Sequence, residues 1–251
     1  MAKAILYDAR KCTACRACQV ACKQWNELPA EATTNRGTYE NPPALSPDTW
    51  VKIKFKEVSE NGNGAIDWLF IRQACMHCTE ATCIELCPSN AVYRSEFGFV
   101  EIDPTRCIGC GVCEKFCPFE VPSMDYEIQK ARKCWLCLNR VANDLEPACV
   151  KACPTGALKF GDRRELLDYA HQVMALSKNG EVYLYGEREL GGLHVIYLLP
   201  EEPAVYGLPK HPEVPNPFEA YAFLEESLRW SPIKDKVLTM AGLKYFGHVY
   251  V

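Results

Sequence analysis

Residues 107–118 read CIGCGVCEKFCP, and this spacing of four cysteines decides the fold of the 251-residue chain. Three cysteines, each separated by two residues, can cap three irons of a cubane of four irons and four sulfides, while backbone N–H groups of the loop point at the sulfides. The fourth cysteine starts a turn that leads away from the loop, and proline fits after it because the next segment needs no N–H there. The stretch therefore predicts a [4Fe-4S] site.

The pattern recurs, and all sixteen cysteines fall into four groups of four. Groups one and three share the spacing C-x2-C-x2-C-x3-C, group two has C-x2-C-x4-C-x3-C, and group four has C-x2-C-x11-C-x3-C. Proline follows the last cysteine of groups two, three and four, but lysine follows that of group one. In chain order the groups are Cys12, Cys15, Cys18 and Cys22; Cys75, Cys78, Cys83 and Cys87; Cys107, Cys110, Cys113 and Cys117; and Cys134, Cys137, Cys149 and Cys153.

Composition narrows the possible classes of protein. The chain is 48% apolar, which is typical of a globular protein, and its net charge of −4 argues against nucleic acid as a partner. No run of eighteen apolar residues exists, so we expect no transmembrane helix, and the first residues reach a charge too soon for a signal peptide. Thiols made in a reducing cytosol are more often metal ligands than disulfides. Zinc is the other alternative, because group four alone could form a zinc ribbon, but zinc does not require the repeated pattern.

Internal repeats indicate which groups share a module. Group two leads into a predicted strand at 91–94, which turns and returns along 99–102 into group three, as in the hairpin of a two-cluster ferredoxin. Group one has only an incoming strand, at 4–7, and group four only an outgoing one, at 157–160. Pairing these two strands would complete a second module of the same kind. The second module is then split, and the first is inserted into it.

In two-cluster ferredoxins the fourth cysteine of a group ligates the other cluster, so we expect each pair of groups to exchange it. The predicted ligands are Cys12, Cys15, Cys18 and Cys153 for cluster A; Cys134, Cys137, Cys149 and Cys22 for cluster B; Cys75, Cys78, Cys83 and Cys117 for cluster C; and Cys107, Cys110, Cys113 and Cys87 for cluster D. Each oxidised cubane with its four thiolates carries a charge of about −2, which takes the loaded chain to roughly −12. Basic residues beside the ligands either offset this charge and tune potentials or form solvated surface: Lys11, Arg16, Arg106, Lys115 and Lys133.

The predicted fold class is α+β, with two ferredoxin-like two-cluster modules, added β-hairpins, one longer helix and an extended tail. The expected divisions are 1–30 plus 130–161 for the split module, 31–72 for a loop and hairpin, 73–129 for the inserted module, 162–199 for a helix and strands, and 200–251 for the tail. Within these we predict strands at 50–58 and 66–72 joined by a turn at 61–64, a helix at 162–177 capped by Asp162 and ended by 179–180, and strands at 181–186 and 194–199. Seven prolines between 200 and 232 suggest that the tail is not compact, and we expect it to dock on a partner or on the modules.

The order of the four groups, with the long gap in the fourth, resembles the iron–sulfur subunit of molybdenum- or tungsten-pterin oxidoreductases. That class includes subunits of formate dehydrogenase, of nitrate, dimethyl sulfoxide and polysulfide reductases, and of some hydrogenases. Further segments resemble the formate dehydrogenase beta subunit more narrowly, and they lie at 18–26, 73–78, 146–157, 191–197 and 206–210. The resemblance covers about residues 1–215.

The resemblance implies an electron-transfer subunit with four [4Fe-4S] clusters and a catalytic alpha subunit that bears the metal-pterin site, oxidising formate or reducing CO2. It implies that cluster A lies nearest that subunit and cluster D farthest from it. The chain has no nucleotide-binding glycine pattern and no obvious nucleophile–base pair, so it is predicted not to be an enzyme by itself. Membrane-bound members carry a transmembrane helix after the segment at 206–210, which 216–251 cannot supply, but a cytochrome b or quinone-reactive membrane partner stays possible.

Two alternatives to a formate dehydrogenase subunit remain open from the sequence. One is the same subunit in another metal-pterin reductase or in a hydrogenase. The other is a free polyferredoxin that carries electrons by diffusion. For location, we expect a peripheral subunit that is either exported folded with a signal-bearing catalytic partner or cytoplasmic.

Overall fold

The computed structural model describes residues 2–59, 66–177 and 182–247. Its strands are β1 (Lys3–Asp8), β2 (Lys52–Ser59), β3 (Ile66–Gln73), β4 (Val92–Arg94), β5 (Val100–Ile102), β6 (Ser123–Asp125), β7 (Lys130–Arg132), β8 (Leu158–Asp162), β9 (Tyr183–Tyr185) and β10 (Val195–Leu199). Its α-helices are α1 (Ala17–Trp25), α2 (Thr82–Glu85), α3 (Val112–Lys115), α4 (Leu138–Val141), α5 (Ala148–Lys151), α6 (Arg163–Leu176), α7 (Pro217–Ser227) and α8 (Lys234–Phe246).

A four-stranded sheet in the order β8-β1-β10-β9 joins the two ends of the cysteine-rich region. The pairing of 4–7 with 157–160 that the repeat predicts is present, because β1 runs antiparallel to β8 with Ile5 opposite Phe160. On its other side β1 runs parallel to β10, with Ile5 beside Val195. This position buries both faces of β1, which fits its nearly continuous apolar sequence.

Helix α6 covers one face of this sheet. Leu6 of β1 packs with Leu166 and Ala170 of the helix, whereas Ile5 and Tyr7 point to the opposite face, toward the cysteine-bearing loops. The helix begins as predicted, because the Asp162 carboxylate accepts a hydrogen bond from the Arg164 backbone N–H at 3.0 Å. The predicted helix end at 179–180 and the start of the strand predicted at 181–186 lie outside the described residues.

Among the described residues, three hairpins lie outside the sheet. The pair β2–β3 and the pair β4–β5 were both predicted, and their registers place Phe55 opposite Phe70 and Tyr93 opposite Glu101. The turn predicted at 61–64 lies outside the described residues. The third hairpin, β6–β7, was not predicted, because a three-residue strand is too short to show a recognisable sequence pattern.

In β2 apolar residues alternate with lysines, a pattern typical of a strand with one buried and one exposed face, but the observed burial departs from it. Lys52 is 1% exposed although it belongs to the lysine face. The loop before the strand folds over it, so that the Lys52 ammonium pairs with the Glu40 carboxylate and donates to the Pro43 carbonyl oxygen. A buried lysine is stable there because both its charge and its donors are partnered.

The prediction of an extended tail over 200–251 is wrong for its second half, which forms α7 and α8. Six of the seven prolines precede residue 218, and the seventh, Pro232, lies between the helices. Pro217 occupies the first position of α7, where proline is tolerated because its missing N–H has no helical partner anyway. The helix interiors are therefore free of proline, and the proline count was misleading as a measure of the whole tail.

The two helices pack on each other, and α7 packs on the cysteine-bearing helix α3. Helix α8 is linked to α2, because the Lys244 ammonium donates to the Ile84 carbonyl oxygen at 2.7 Å. Leu86 and Val112 form one core with buried residues of the tail at helical spacing, namely Ala220, Leu224, Val237 and Ala241. The Lys244 ammonium donates to the Cys87 carbonyl oxygen at 3.0 Å. The tail therefore contacts the chain's own module, which is one of the two docking surfaces predicted for it. Within the described ranges, the longest apolar helical stretches fall short of what is needed to cross a membrane.

Candidate functional site

The first two cysteines of every group are joined by the same local turn. The residue just before the second cysteine has a left-handed backbone in all four groups, namely Ala14, His77, Gly109 and Leu136, with φ of 53°, 48°, 69° and 56°. Such turns align successive N–H groups toward one point, which favours binding of an anion. In groups one and four the N–H of this residue donates to the preceding cysteine sulfur, at 3.4 Å in each case.

Group three alone has glycine at this position, and the reason is steric. A Cβ atom on Gly109 would lie 2.5 Å from the carbonyl oxygen of Gln129. The other three groups tolerate a side chain with the same backbone conformation. The glycine at position 109 therefore reflects its close neighbour Gln129, and the turn itself is common to all four groups.

Short helices bring the groups together in pairs. Helix α1 carries Cys18 and Cys22 and packs against α5, which carries Cys149. Helix α2 carries Cys83 and packs against α3, which carries Cys113. Group one therefore meets group four, and group two meets group three.

The surroundings of Cys22 differ from those of its sequence neighbours. Burial raises the pKa of the Cys22 thiol well above its ordinary value, and the thiolates of Cys134, Cys149 and Cys137 raise it further. These three cysteines all belong to group four. Asn26 also donates from Nδ2 to the Cys22 sulfur at 3.6 Å.

Cys18 lies between the two groups. Burial raises the pKa of its thiol to about 12, against the opposing positive charge of Arg72. The thiolates of Cys149, Cys12 and Cys153 contribute further increases. Cys153, the last cysteine of group four, is thus close to the first group, while Cys15 is the exposed member of the sixteen.

Cysteines of groups two and three also lie close to one another. Burial and then the thiolates of Cys75, Cys117 and Cys83 raise the pKa of Cys78, although Cys117 belongs to group three. Burial also raises the pKa of Cys113, and its neighbouring thiolates include Cys87, the last cysteine of group two.

One cavity is lined by the four cysteines predicted for cluster C, namely Cys75, Cys78, Cys83 and Cys117. In the described part of the chain, no three His, Cys, Asp or Glu side chains lie close enough to hold a single metal ion. A tetrahedral zinc site would need sulfurs within about 4 Å of one another, since each Zn–S bond is about 2.3 Å. A cubane takes one thiol at each of its four irons, so four cysteines around one cavity match it in number.

Hydrogen bonds to sulfur reach two further groups. The Ala91 N–H donates to the Cys87 sulfur at 3.3 Å, and the Ala131 N–H donates to the Cys107 sulfur at 3.4 Å. Such donors stabilise thiolate charge and raise the potential of an iron–sulfur cluster. The residues present therefore fit [4Fe-4S] clusters in both number of thiols and supply of N–H donors.

His77 is a fully buried residue that lies between the first two cysteines of group two. Its Nδ1 accepts a hydrogen bond from the Val100 N–H at 3.0 Å. Burial lowers its pKa well below the ordinary value, and the charge of Lys133 lowers it further. The ring is therefore neutral and serves to fix the loop to β5.

Over the described ranges, two cations are buried among the cysteines, and the sequence indicated only one of them. Of the five basic residues singled out from the sequence, Lys133 is buried, and the others are exposed or half-buried. Arg72, at the end of β3, was treated only as a strand residue and is 1% exposed. No sequence pattern separates it from a surface arginine, because it lies outside the cysteine motifs and in an ordinary strand position.

Comparison with known proteins places these observations in a family. Two models described as a 4Fe-4S dicluster domain match residues 66–163 and 11–91, and with the mixed helices and strands they establish an α+β fold with two ferredoxin-like domains. The nitrate-inducible formate dehydrogenase iron–sulfur subunit of Escherichia coli is 41% identical over 216 residues, which cover 83% of this chain and 73% of the relative.

Two further relatives align with this chain over nearly their whole length. The beta subunit of formate dehydrogenase 2 (cytochrome c-553) from Nitratidesulfovibrio vulgaris is 34% identical over 82% of this chain and 97% of the relative. A thiosulfate reductase electron transfer subunit from Salmonella typhi is 34% identical over 74% of this chain and 92% of the relative. The chain therefore belongs to the family of iron–sulfur subunits of formate dehydrogenase, which are non-catalytic electron-transfer subunits of an oxidoreductase complex.

Proposed function

We propose that this chain holds four [4Fe-4S] clusters in which paired groups exchange their last cysteine. The proposed ligands are Cys12, Cys15, Cys18 and Cys153 for cluster A; Cys134, Cys137, Cys149 and Cys22 for cluster B; Cys75, Cys78, Cys83 and Cys117 for cluster C; and Cys107, Cys110, Cys113 and Cys87 for cluster D. The observation that carries this proposal is the position of Cys22 among the thiols of group four. The position of Cys117 beside Cys78 supports the same exchange in the other pair.

The corresponding architecture is one module inserted into another. The split module would comprise 1–30 and 130–161, and the inserted module 73–129. The pairing of β1 with β8 supports the split, because it joins the strand before group one to the strand after group four. The contact of α2 with α3 supports a separate pair within the insertion.

The proposed role is relay of single electrons between a catalytic subunit with a molybdenum- or tungsten-pterin site and an outside acceptor. [4Fe-4S] clusters, when bound, take up and release one electron at a time, which divides a two-electron oxidation of formate into single steps. The chain's own residues would hold the clusters at fixed distances, exclude water and donate N–H groups to sulfur. Because Cys15 is the exposed cysteine, we assign the side of cluster A to the catalytic partner.

The acceptor is proposed to be a cytochrome or a quinone-reactive membrane subunit. The name of the Nitratidesulfovibrio vulgaris relative, which includes cytochrome c-553, supports a cytochrome. We also propose that the subunit is peripheral and follows its catalytic partner, whether that partner is exported or cytoplasmic.

A second candidate is the same role in another reductase of the class, and the thiosulfate reductase relative supports it. Purifying the native complex and identifying the large subunit and its substrate decides between the two. A free polyferredoxin would instead elute alone near 28 kDa on size exclusion of the native protein.

Ligand exchange is tested by pairs of cysteine variants in the complete complex. The wild type should contain about sixteen irons and sixteen acid-labile sulfides, with broad absorbance that bleaches on reduction. Cys22→Ser should remove the signal that Cys134→Ser removes, so the double variant should lose no more than either single variant. Cys22→Ser combined with Cys12→Ser should lose two signals.

The opposite pattern would refute the exchange. If Cys22→Ser and Cys12→Ser affect one and the same cluster, the groups do not share ligands. Stoichiometric zinc in place of iron in the native protein would overturn the cluster assignment as a whole.

A further inference from the structure

Arg72 is a fully buried cation that has no carboxylate partner in the part of the chain that the structure describes. Its side chain is 1% exposed, and it forms no ion pair with an Asp or Glu within residues 2–59, 66–177 and 182–247. Its Nε and Nη1 atoms have no hydrogen-bond partner in the same ranges. A guanidinium that is neither solvated nor paired is strongly unfavourable, so a negative charge has to lie nearby when the protein is loaded.

The groups that face Arg72 are cysteines and a tyrosine. Nη2 donates to the Cys149 sulfur at 3.7 Å, and the thiols of Cys134 and Cys18 are its further charge neighbours. The Tyr197 hydroxyl donates to the Arg72 carbonyl oxygen at 2.6 Å, which fixes the end of β3 in place. Two of the three cysteines belong to the proposed cluster B and one to cluster A.

We propose that Arg72 is the fixed counter-charge of the pair formed by clusters A and B, and that it raises the reduction potential of cluster B most strongly. The inference rests on the proposed ligand sets. Reduction adds one negative charge to a cluster, and a permanent positive charge close by stabilises the reduced form more than the oxidised form. A hydrogen bond to a ligand sulfur acts in the same direction, and only Cys149 receives one from Arg72 in the described structure.

Lys133 offers a matched comparison at the other junction. It is also buried, and its ammonium donates to the Cys134 carbonyl oxygen at 3.0 Å and to the Val100 carbonyl oxygen. Its charge neighbours are Cys75 and Cys83 of the proposed cluster C, together with Glu101 and Cys134. Lys133 therefore lies between clusters B and C, whereas Arg72 lies between clusters A and B.

The test is a redox titration of the complete complex, followed by electron paramagnetic resonance, for the wild type, Arg72→Gln, Arg72→Lys and Lys133→Met. The signal of cluster B is identified beforehand as the one that Cys22→Ser removes. Arg72→Gln should lower the equilibrium constant for reduction of cluster B about tenfold or more, which is about 59 mV for a one-electron couple. Cluster A should shift less, and cluster D should not move.

The two other variants test two separate points: Arg72→Lys tests the shape of the cation, and Lys133→Met tests its location. Arg72→Lys keeps the charge but not the planar fork, so its shift at cluster B should be smaller than that of Arg72→Gln. Lys133→Met should move cluster C and leave cluster A unchanged. A merely structural role for Arg72 would lower stability without this pattern of potentials.

Failure of the role proposed for Arg72 and failure of the proposed function give different results. A wild type without four separable cluster signals contradicts the proposed function. A wild type with four signals, and Arg72→Gln shifting cluster B less than twofold, contradicts only the role of Arg72. If Arg72→Gln and Arg72→Lys both fail to retain iron, Arg72 is a structural residue and the proposal is overturned.

Discussion

The tail helices give the sharpest prediction about stability, and Leu224 is the residue on which to test it. Leu224 is 0% exposed in the core that α7 and α8 form with Leu86 and Val112. Leu224→Ala should weaken docking of 217–246 by about 2–5 kcal/mol, since a buried leucine loses its transfer free energy and leaves a cavity. At 1.4 kcal/mol per factor of ten, opening of the tail should become about 30-fold to about 4,000-fold more frequent.

Amide hydrogen exchange followed by mass spectrometry measures this opening locally. Peptides from 217–246 should exchange faster by that factor in Leu224→Ala, while peptides from α6 should keep their wild-type rates. Leu243→Ala is the matched control, because it is the same substitution in the same pair of helices at a side chain that is 45% exposed. It should change exchange by about fivefold or less, in keeping with a loss of at most about 1 kcal/mol.

The result that refutes the reasoning is equal exchange of 217–246 in the two variants. That outcome would mean that burial of Leu224 against Leu86 and Val112 does not hold the tail. An increase in exchange across the whole chain would mean that the tail does not open as a separate unit.

Two other predictions concern a turn and the relay. Gly98→Ala should lower the thermal midpoint of the loaded protein by more than Gly37→Ala does. Both glycines have positive φ, but a Cβ on Gly98 would lie 2.2 Å from Cε1 of His194, whereas a Cβ on Gly37 would meet no atom within 4 Å. Equal midpoints in the two variants would contradict the clash. Cys113→Ser should remove cluster D, leave substrate-driven bleaching of cluster A intact and stop electron transfer to the outside acceptor. If substrate instead no longer reduces any of the other clusters, the assigned direction of electron flow is reversed.

Much of the local structure could be predicted from the sequence, since it depends on nearby residues. The helix start at Asp162 follows from a side chain that caps an N–H two residues away. The hairpins β2–β3 and β4–β5 follow from alternating patterns of adequate length. The pairing of β1 with β8 spans more than 150 residues, yet it could be predicted because each strand repeats half of a pattern that is complete at β4–β5.

Other features could not be predicted, for reasons that particular residues make clear. Lys52 has the sequence context of an exposed lysine, and only the loop that brings Glu40 over it makes burial favourable. The helices of the tail were not predicted, because prolines were counted over the whole tail although nearly all of them precede residue 218. The shared turn before each second cysteine was hidden because three of the four groups use residues that ordinarily avoid positive φ.

The sequence by itself determined the family, the number of thiols and their division into four groups, because ligand spacing along a chain is a local property that iron–sulfur chemistry constrains tightly. Tertiary structure alone decided where charge is buried. Arg72 is an ordinary strand residue in the sequence, and Lys133 is one of several basic residues beside ligands; both become fixed charges between cysteine groups only when distant segments pack around them. The energy of a charge depends on everything within several ångströms in three dimensions, and linear spacing does not encode that environment.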